Sequence, residues 1–300
     1  MLETLSRRQK GISERIFDFL NVLLMLVFSF SIIYPFINLL ALSLNDGIDA
    51  IRGGIYLYPR KFSLESYRLI MQNMKLWRGF GVSVLRVAVG MTTSVLASSL
   101  LAYVVSVRHF SGRKFMRLLF LVTMYFSGGL IPYYLLILKL RLNETFTVYW
   151  LPGIIGVYYM LIISSYIQNL PESVFESVRV DGGGDLRIFC QFVIPMSLPV
   201  LACVALFSAV ANWNAWFDSM IFNSSGKWDT LQVYLRRMLL EKEALQSIEA
   251  QQTLYDRFRE VTPITLRSAT TIVVTLPIVL LYPFLQKYFI GGITLGAVKG

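Results

Sequence analysis

A chain of 300 residues that is 55% apolar and only 15% charged, with a mean hydropathy of +0.59, cannot build a water-facing surface of ordinary extent, because soluble domains run at roughly 25% charged residues. The bilayer is the solvent that fits, so the net charge of +10 is read as Lys and Arg set beside spans against anionic lipid headgroups, not as a nucleic-acid surface. The single histidine, His109, and the two cysteines, Cys190 and Cys203, exclude His-based catalysis, a metal centre and a disulfide framework.

The expected fold is an all-α integral membrane protein. A helix rises about 1.5 Å per residue, so roughly 20 apolar residues cross the hydrocarbon core. Within lipid, backbone amides must be satisfied inside each segment, which favours helices over short alternating strands. About six stretches qualify, near 19–44, 79–107, 118–138, 146–168, 196–222 and 268–286. The first is free of charge from Phe19 to Leu44. That is longer than a signal-peptide core of roughly 7–15 residues, so it is expected to remain as a span. Pro35, Pro132 and Pro277 are expected to bend the helices that hold them. Arg7, Arg8, Lys10 and Arg15 precede the first span, and Arg108, Arg113, Lys114 and Arg117 lie between the second and third; this bias predicts cytoplasmic termini. Arg86 is the one clear charge within a span. Its long stem can snorkel to the outer interface, or its head can meet a partner on another helix, with Asp218 as the candidate.

The organisation that follows is a cytoplasmic segment 1–18, a first transmembrane helix with an external segment over 19–78, a core transmembrane domain over 79–290 and a cytoplasmic tail over 291–300. A second external segment, 223–267, carries an amphipathic helix around Leu231–Leu245 with Leu231, Leu235, Leu239 and Leu240 at helical spacing. It either packs on the membrane surface or docks an external partner.

The most informative stretch is the loop 171–199, PESVFESVRVDGGGDLRIFCQFVIPMSLP. Pro171 suits the first turn of a helix, and Glu172 complements its N-terminus. Val174, Phe175 and Val178 make an apolar face flanked by Glu176 and Arg179. Asp181-Gly182-Gly183-Gly184 breaks the helix, because glycine takes the left-handed conformation that a tight reversal needs. A second short helix over Asp185–Val193 is expected to run back and end before Pro195.

This pattern resembles the EAA loop of ABC import permeases. Glu176-Ser177-Val178 stands at the Glu-Ala-Ala place, Asp181-Gly182 at the Asp-Gly place and Ile194-Pro195 at the closing apolar-Pro. Ser177, Val178 and Gly183 depart from the alanines usual there. Asn212-Trp213-Asn214-Ala215-Trp216-Phe217, the segment Phe126–Pro132 and the ending Gly292–Gly300 are similar to segments of the carbohydrate-uptake class. The likeness covers most of residues 79–300 and is to MalG-like permeases, in particular the branch that includes LplC and YtcP proteins.

The resemblance implies the type I ABC importer permease fold and a transport subunit rather than an enzyme. The chain has no G-x-x-x-x-G-K-[ST] phosphate loop, Gly226-Lys227-Trp228 being the nearest fragment. ATP and Mg2+ are therefore expected on a separate cytoplasmic ATPase dimer, with no cofactor on this chain. Glu172, Val174, Phe175, Glu176, Arg179, Asp181 and Gly182 would couple to that ATPase, and the C-terminal tail would also reach toward it. Further implied partners are a second, MalF-like permease subunit, an extracytoplasmic solute-binding protein and membrane lipid. Asn212, Trp213, Asn214, Trp216 and Phe217 offer the aromatic faces and amides that suit a sugar pathway, or else form an aromatic belt at the outer interface. The implied cargo is an oligosaccharide or other sugar, moved through the cytoplasmic membrane. An ion-coupled secondary transporter would instead need mid-span carboxylates and inverted repeats, and an importer of a non-sugar solute remains an alternative.

Overall fold

The computed structural model describes residues 11–240 and 261–297. Arg7, Arg8 and Lys10, the 241–245 end of the expected amphipathic helix and residues 298–300 of the tail lie outside the described residues. The described chain is helical, and its one β-bridge is an isolated antiparallel pair, Asn45 with Phe62. Among the described residues, three helices are long and apolar enough to cross a membrane: α1 (Ile12–Ser43), α4 (Met74–Ser106) and the Pro263–Leu280 part of α14 (Pro263–Ala297).

The other three expected spans take different forms. The third is a pair, α5 (Arg113–Tyr125) and α6 (Leu130–Lys139), bent by 112°. Its break falls at Phe126–Gly129, where Gly129 takes φ +89°, a conformation that costs a glycine little. Pro132 therefore sits in the first turn of a new helix, where its missing N–H is tolerated, and does not kink a continuous one. The fifth, expected over 196–222, divides into α11 (Leu198–Asn214) and the short α12 (Phe217–Phe222), and α11 is bent by 80° from the run Asp185–Met196, most of which lies in the expected loop 171–199. In the fourth, only α7 (Val157–Ile167) is α-helical. Its 11 residues rise about 16 Å, and a 3-10 turn, Phe146–Tyr149, precedes it. Pro35 and Pro277 lie inside continuous helices.

The chain divides into two compact units, residues 1–72 with 242–273 and residues 73–241 with 274–300. In the first, α1 is apolar on all sides and unburied along its most hydrophobic stretch, as a lipid-facing span must be. Its C-terminal end is packed, with Ala41 beside Ala50 and Ile55. The chain then turns through α2 (Gly47–Ile51) under a polar network. The Asn45 side chain donates to the Asp46 carbonyl (2.8 Å) and accepts from the Lys61 amide (2.8 Å), while Arg60 holds Asp49 at 2.9 Å. The Arg60 hydrogen bonds, helped by Asn45, keep the Asp49 carboxyl below its ordinary range. In α3 (Glu65–Gln72), buried Ser66 donates to Thr265 Oγ1 at 3.0 Å.

The second unit is organised on α4. One side of this helix is lined by Gly79, Ser83, Gly90, Ser94, Ser98 and Ala102, all buried, and small residues let neighbouring backbones approach closely where apolar bulk gains nothing against lipid. The hydroxyls on that side join other elements. Ser83 Oγ accepts from the Leu231 amide (2.9 Å), and Ser98 Oγ from the Gly156 amide (3.0 Å). Ser106 and Ser164 pair through their hydroxyls at 3.0 Å. α13 (Leu231–Leu240) consequently packs on α4: Leu231 and Val233 are buried, whereas Leu239 and Leu240 are exposed. Only the start of the expected leucine stripe is a packing face. A second polar tie is Glu144, whose carboxylate accepts from the amide and hydroxyl of Ser224 (2.8 and 2.6 Å) and from those of Ser225.

The hydrogen bonds from Ser224 and then Ser225 lower the Glu144 pKa from its ordinary 4.5. A depressed folded-state value means that the tie contributes fully above the unfolded-chain pKa and is lost as pH falls through the lowered one. Amide exchange at Ser224 and Ser225, relative to intrinsic rates, is expected to remain slow as pH falls past 4.5 and to accelerate only as pH falls through the lowered value of the folded chain. In Glu144→Gln, which has no carboxyl to protonate, that acid step should be absent.

Candidate functional sites, a helical loop and a polar cavity

The loop after α7 begins with α8 (Glu172–Val180), for which Pro171 is the N-cap residue. Phe175 and buried Val178 point into a cluster with Ala102, Tyr103 and Val105 of α4 and Met160, Ile163 and Ile167 of α7. Val174 is half-buried, while Glu176 and Asp181 are exposed. The helix therefore has one face seated on two neighbouring helices and one face free. Polar contacts fasten its ends: Glu172 forms an ion pair with Arg108, and Arg179 reaches Asp185 at 3.3 Å. Asp185 also accepts from the Tyr103 hydroxyl at 2.9 Å. Gly182, at φ +77°, makes the reversal.

After the reversal, α9 (Asp185–Ile188) passes through a π-helical turn, Phe189–Val193, into α10 (Ile194–Met196). The return helix thus runs three residues past the expected end, because Pro195 enters at the first turn of α10, where no N–H is needed. Ile188, Phe189 and Val193 join the same cluster as Val178. Val180 and Leu186 were not singled out in the sequence, yet they are 86% and 73% exposed on the same loop as Glu176. The available signal was that neither fits the apolar face drawn through Phe175 and Val178.

The departures at positions 178 and 183 offset one another. A Cβ on Gly183 would lie 2.6 Å from Val178 Cγ1 and 2.9 Å from the Val178 carbonyl oxygen. The larger side chain at 178 fills the space that an alanine at 183 would use.

The second site lies in the same unit. Asn212 on α11 is half-buried and lines a cavity of about 350 Å³ with residues of α4, α6, α7 and α12 (Phe217–Phe222). The other aromatic-amide candidates are placed elsewhere. Trp213 is buried edge-on against Phe80 and donates to the Val274 carbonyl at 3.3 Å. Trp216 lies under the Arg236 guanidinium, 3.8 Å from its ring centre, and Phe217 is half-exposed beside it. Asn214 is exposed at the end of α11. Residues that sequence reasoning did not assign to this lining are Tyr133, Tyr149, Trp150 and Tyr159. Their aromatic character was visible, but their convergence is set by the break before α6 and by the 3-10 turn and loop ahead of α7.

Arg86 does not snorkel: it is 4% exposed, pairs through both terminal nitrogens with Asp218 and lies 4.8 Å from the Tyr149 ring centre. A buried guanidinium is tolerated only with a counter-charge.

Two outcomes follow. Gly183→Ala is expected to cost about 1–3 kcal/mol through overpacking; Val178→Ala in the same chain should return part of it, with a coupling energy of roughly 0.5 kcal/mol or more in a thermal-denaturation cycle. Asp218→Asn, which leaves Arg86 charged without its partner, should cost about 3–5 kcal/mol. Arg86→Met together with Asp218→Asn should recover much of that in the same melts.

Comparison with known proteins places the chain in a family. The family model described as the binding-protein-dependent transport system inner membrane component matches residues 94–295. The polygalacturonan/rhamnogalacturonan transport system permease protein YtcP of Bacillus subtilis is 35% identical over 288 residues, covering 96% of this chain and 99% of the relative. Protein LplC of the same organism is 33% identical, covering 95% and 96%. Among solved structures, a chain of a bacterial ABC transporter that imports the acidic polysaccharide alginate superposes with a TM-score of 0.88 at 25% identity, covering 93% of this chain and 99% of its own. A chain of the alginate transporter in complex with a pentasaccharide-bound periplasmic protein shares the fold, at a TM-score of 0.56 and 12% identity over 90% of this chain and 93% of its own. A chain helical over its described residues, with these spans and this loop and matched along nearly its whole length, belongs to the binding-protein-dependent transport system inner membrane components: it is a permease subunit of the ABC importer class, a transport component and not an enzyme.

Proposed function

We propose that this permease carries an oligosaccharide inward and that it is driven by a separate ATPase dimer through α8. The observation that carries the proposal is the two-faced character of that helix, with Phe175 and Val178 seated on α4 and α7 and Glu176 free. A helix held this way transmits a push on its outer face to the spans beneath it, and discrete rearrangement of packed helices is how such pushes become two-state motions. Glu176 offers a charge-assisted contact to the ATPase. Val174 and Asp181 flank it, Glu172 and Arg179 brace the ends, and Gly182 keeps the reversal tight.

In this reading ATP and Mg2+ belong to the ATPase, and this chain holds no cofactor. A second permease subunit completes the pathway, a solute-binding protein delivers cargo, and lipid surrounds the spans. Residues 1–18 and 291–300 face the cytoplasm, consistent with the basic clusters flanking the first three spans. The pathway includes Asn212, with Asn214, Trp216 and Phe217 toward one end and Trp213 as packing behind it. The oligosaccharide is favoured because YtcP is named for polygalacturonan and rhamnogalacturonan and the solved importer for alginate.

The test is co-purification on the tagged permease. Wild type is expected to retain an ATPase and a second permease. Glu176→Arg and Gly182→Pro should lower ATPase retention by roughly tenfold or more, the scale of a lost interface hot spot, with the second permease still bound. Wild type that purifies alone and moves solute without ATP would overturn the proposal.

A further inference from the structure

The cavity beside Asn212 has a wall chemistry that the coupling mechanism does not use. Of its lining residues only Arg86 and Asp218 are charged, and each neutralises the other. The terminal nitrogens of Arg86 are both turned to the Asp218 carboxylate, and the guanidinium lies over the Tyr149 ring. The Tyr149 hydroxyl is itself committed, donating to the Trp228 carbonyl at 2.7 Å with Ser219 Oγ at 3.1 Å. The third guanidinium nitrogen, Nε, has no hydrogen-bond partner but is buried, so the charged part of the cavity offers no accessible uncommitted nitrogen to an anion.

The rest of the lining is different. Ser94, Ser208, Tyr133 and Tyr159 bring hydroxyls, and Trp150 brings an aromatic surface. The Asn212 amide is fixed in a single orientation: its nitrogen donates to the Ser208 carbonyl at 2.9 Å and lies 3.4 Å from Ser208 Oγ. Its carbonyl oxygen faces Gly90, where an added Cβ would come within 2.6 Å. Gly90 is thus the position that leaves room for the amide. Aromatic faces with fixed amide and hydroxyl groups match the CH-rich faces and the hydroxyls of a sugar ring. A volume of about 350 Å³ lies at the small end of ligand pockets, which span roughly 300–1,000 Å³, and suits a short stretch of a glycan chain.

We infer that this cavity is a saccharide subsite on this chain, one that reads ring hydroxyls through Asn212 and the tyrosines and does not read a carboxylate. A uronate carboxylate placed here would find two Arg86 nitrogens held by Asp218 and the third buried. It would meet the Asp218 carboxylate, its side chain 25% exposed against 5% for that of Arg86, as the more exposed charge of the pair, which is discrimination by repulsion. The inference rests on the oligosaccharide reading and sharpens it: if the cargo is acidic, its charge is recognised elsewhere than at Arg86.

The experiment uses the purified complex of this permease with its partner subunits in lipid nanodiscs, without solute-binding protein. The probes are trigalacturonate, its fully methyl-esterified form and neutral arabinotriose, with Kd read by saturation-transfer NMR. The complete system is assayed in parallel for uptake of the same three. The expected result is that the methyl ester binds at least as tightly as the acid. Asn212→Ala, which only removes atoms, and Gly90→Ala, which displaces the amide, should each raise Kd roughly tenfold, the scale of one lost hydrogen bond. Uptake by wild type with Kd unchanged in both variants overturns the subsite and leaves the importer reading standing. So does acid bound roughly tenfold more tightly than ester, a gap of about 1.4 kcal/mol. A complete wild-type system that imports none of the oligosaccharides removes the oligosaccharide reading and the subsite with it.

Discussion

Close approach along α4 is the constraint on which the second unit depends. In hydrocarbon a large side chain gains nothing by moving from lipid to a neighbouring helix, so association relies on fit and on polar contacts between helices. The row of small residues from Gly79 to Ala102 answers that constraint. Gly79 admits the backbone of Leu231, Gly90 admits Asn212, and Ser83, Ser98 and Ser106 bond to neighbouring chain segments. An alternating large and small face, as in a soluble core, would separate the elements and leave those serines without partners.

The same helix carries both candidate sites. Near its middle, Arg86, Gly90 and Ser94 line the cavity; near its end, Ala102, Tyr103 and Val105 receive α8 and the return helix. From Ser94 to Tyr103 is nine residues of continuous helix, about 14 Å. α7 repeats the arrangement, with Tyr159 at the cavity and Ile163 and Ile167 in the cluster. Rigid elements shared by two sites are the physical means by which a push at one is felt at the other. The polar cavity is stable in this setting because its buried charge is compensated on the spot by Asp218.

Breaks in the helices supply what continuous spans could not. The 112° turn at Phe126–Gly129 and the 80° turn before Leu198 redirect the chain, and the 3-10 turn with the loop that follows it brings Tyr149 and Trp150 to the cavity. Non-helical backbone at such places must be buried in protein or face water. Part of it is held by specific bonds: the Tyr149 hydroxyl to the Trp228 carbonyl, and Glu144 to Ser224 and Ser225.

Local features were legible in the sequence because local physics determines them. Hydropathy over a helix-length window marks segments that belong in lipid, and Pro171, the Asp181-Gly182 reversal and the apolar face of α8 are written within a dozen residues. What the sequence did not disclose depends on contacts between residues far apart in the chain. Arg86 and Asp218 are 132 positions apart; the sequence could name the partner but not choose pairing over snorkelling. Hydropathy records whether a segment is apolar and not its direction, so the bent pair of α5 and α6 reads as a single span and the short α7 as a full one. The opposed sizes at Val178 and Gly183 looked like two separate departures until the reversal laid one against the other. By itself, then, the sequence determined the solvent, which segments are apolar helix and the helical reversal after Pro171, all set by composition and short-range spacing. The tertiary structure alone decided which side chains converge on the cavity and which, like Trp213, turn away to pack, because that depends on how closely α4 lets its neighbours approach.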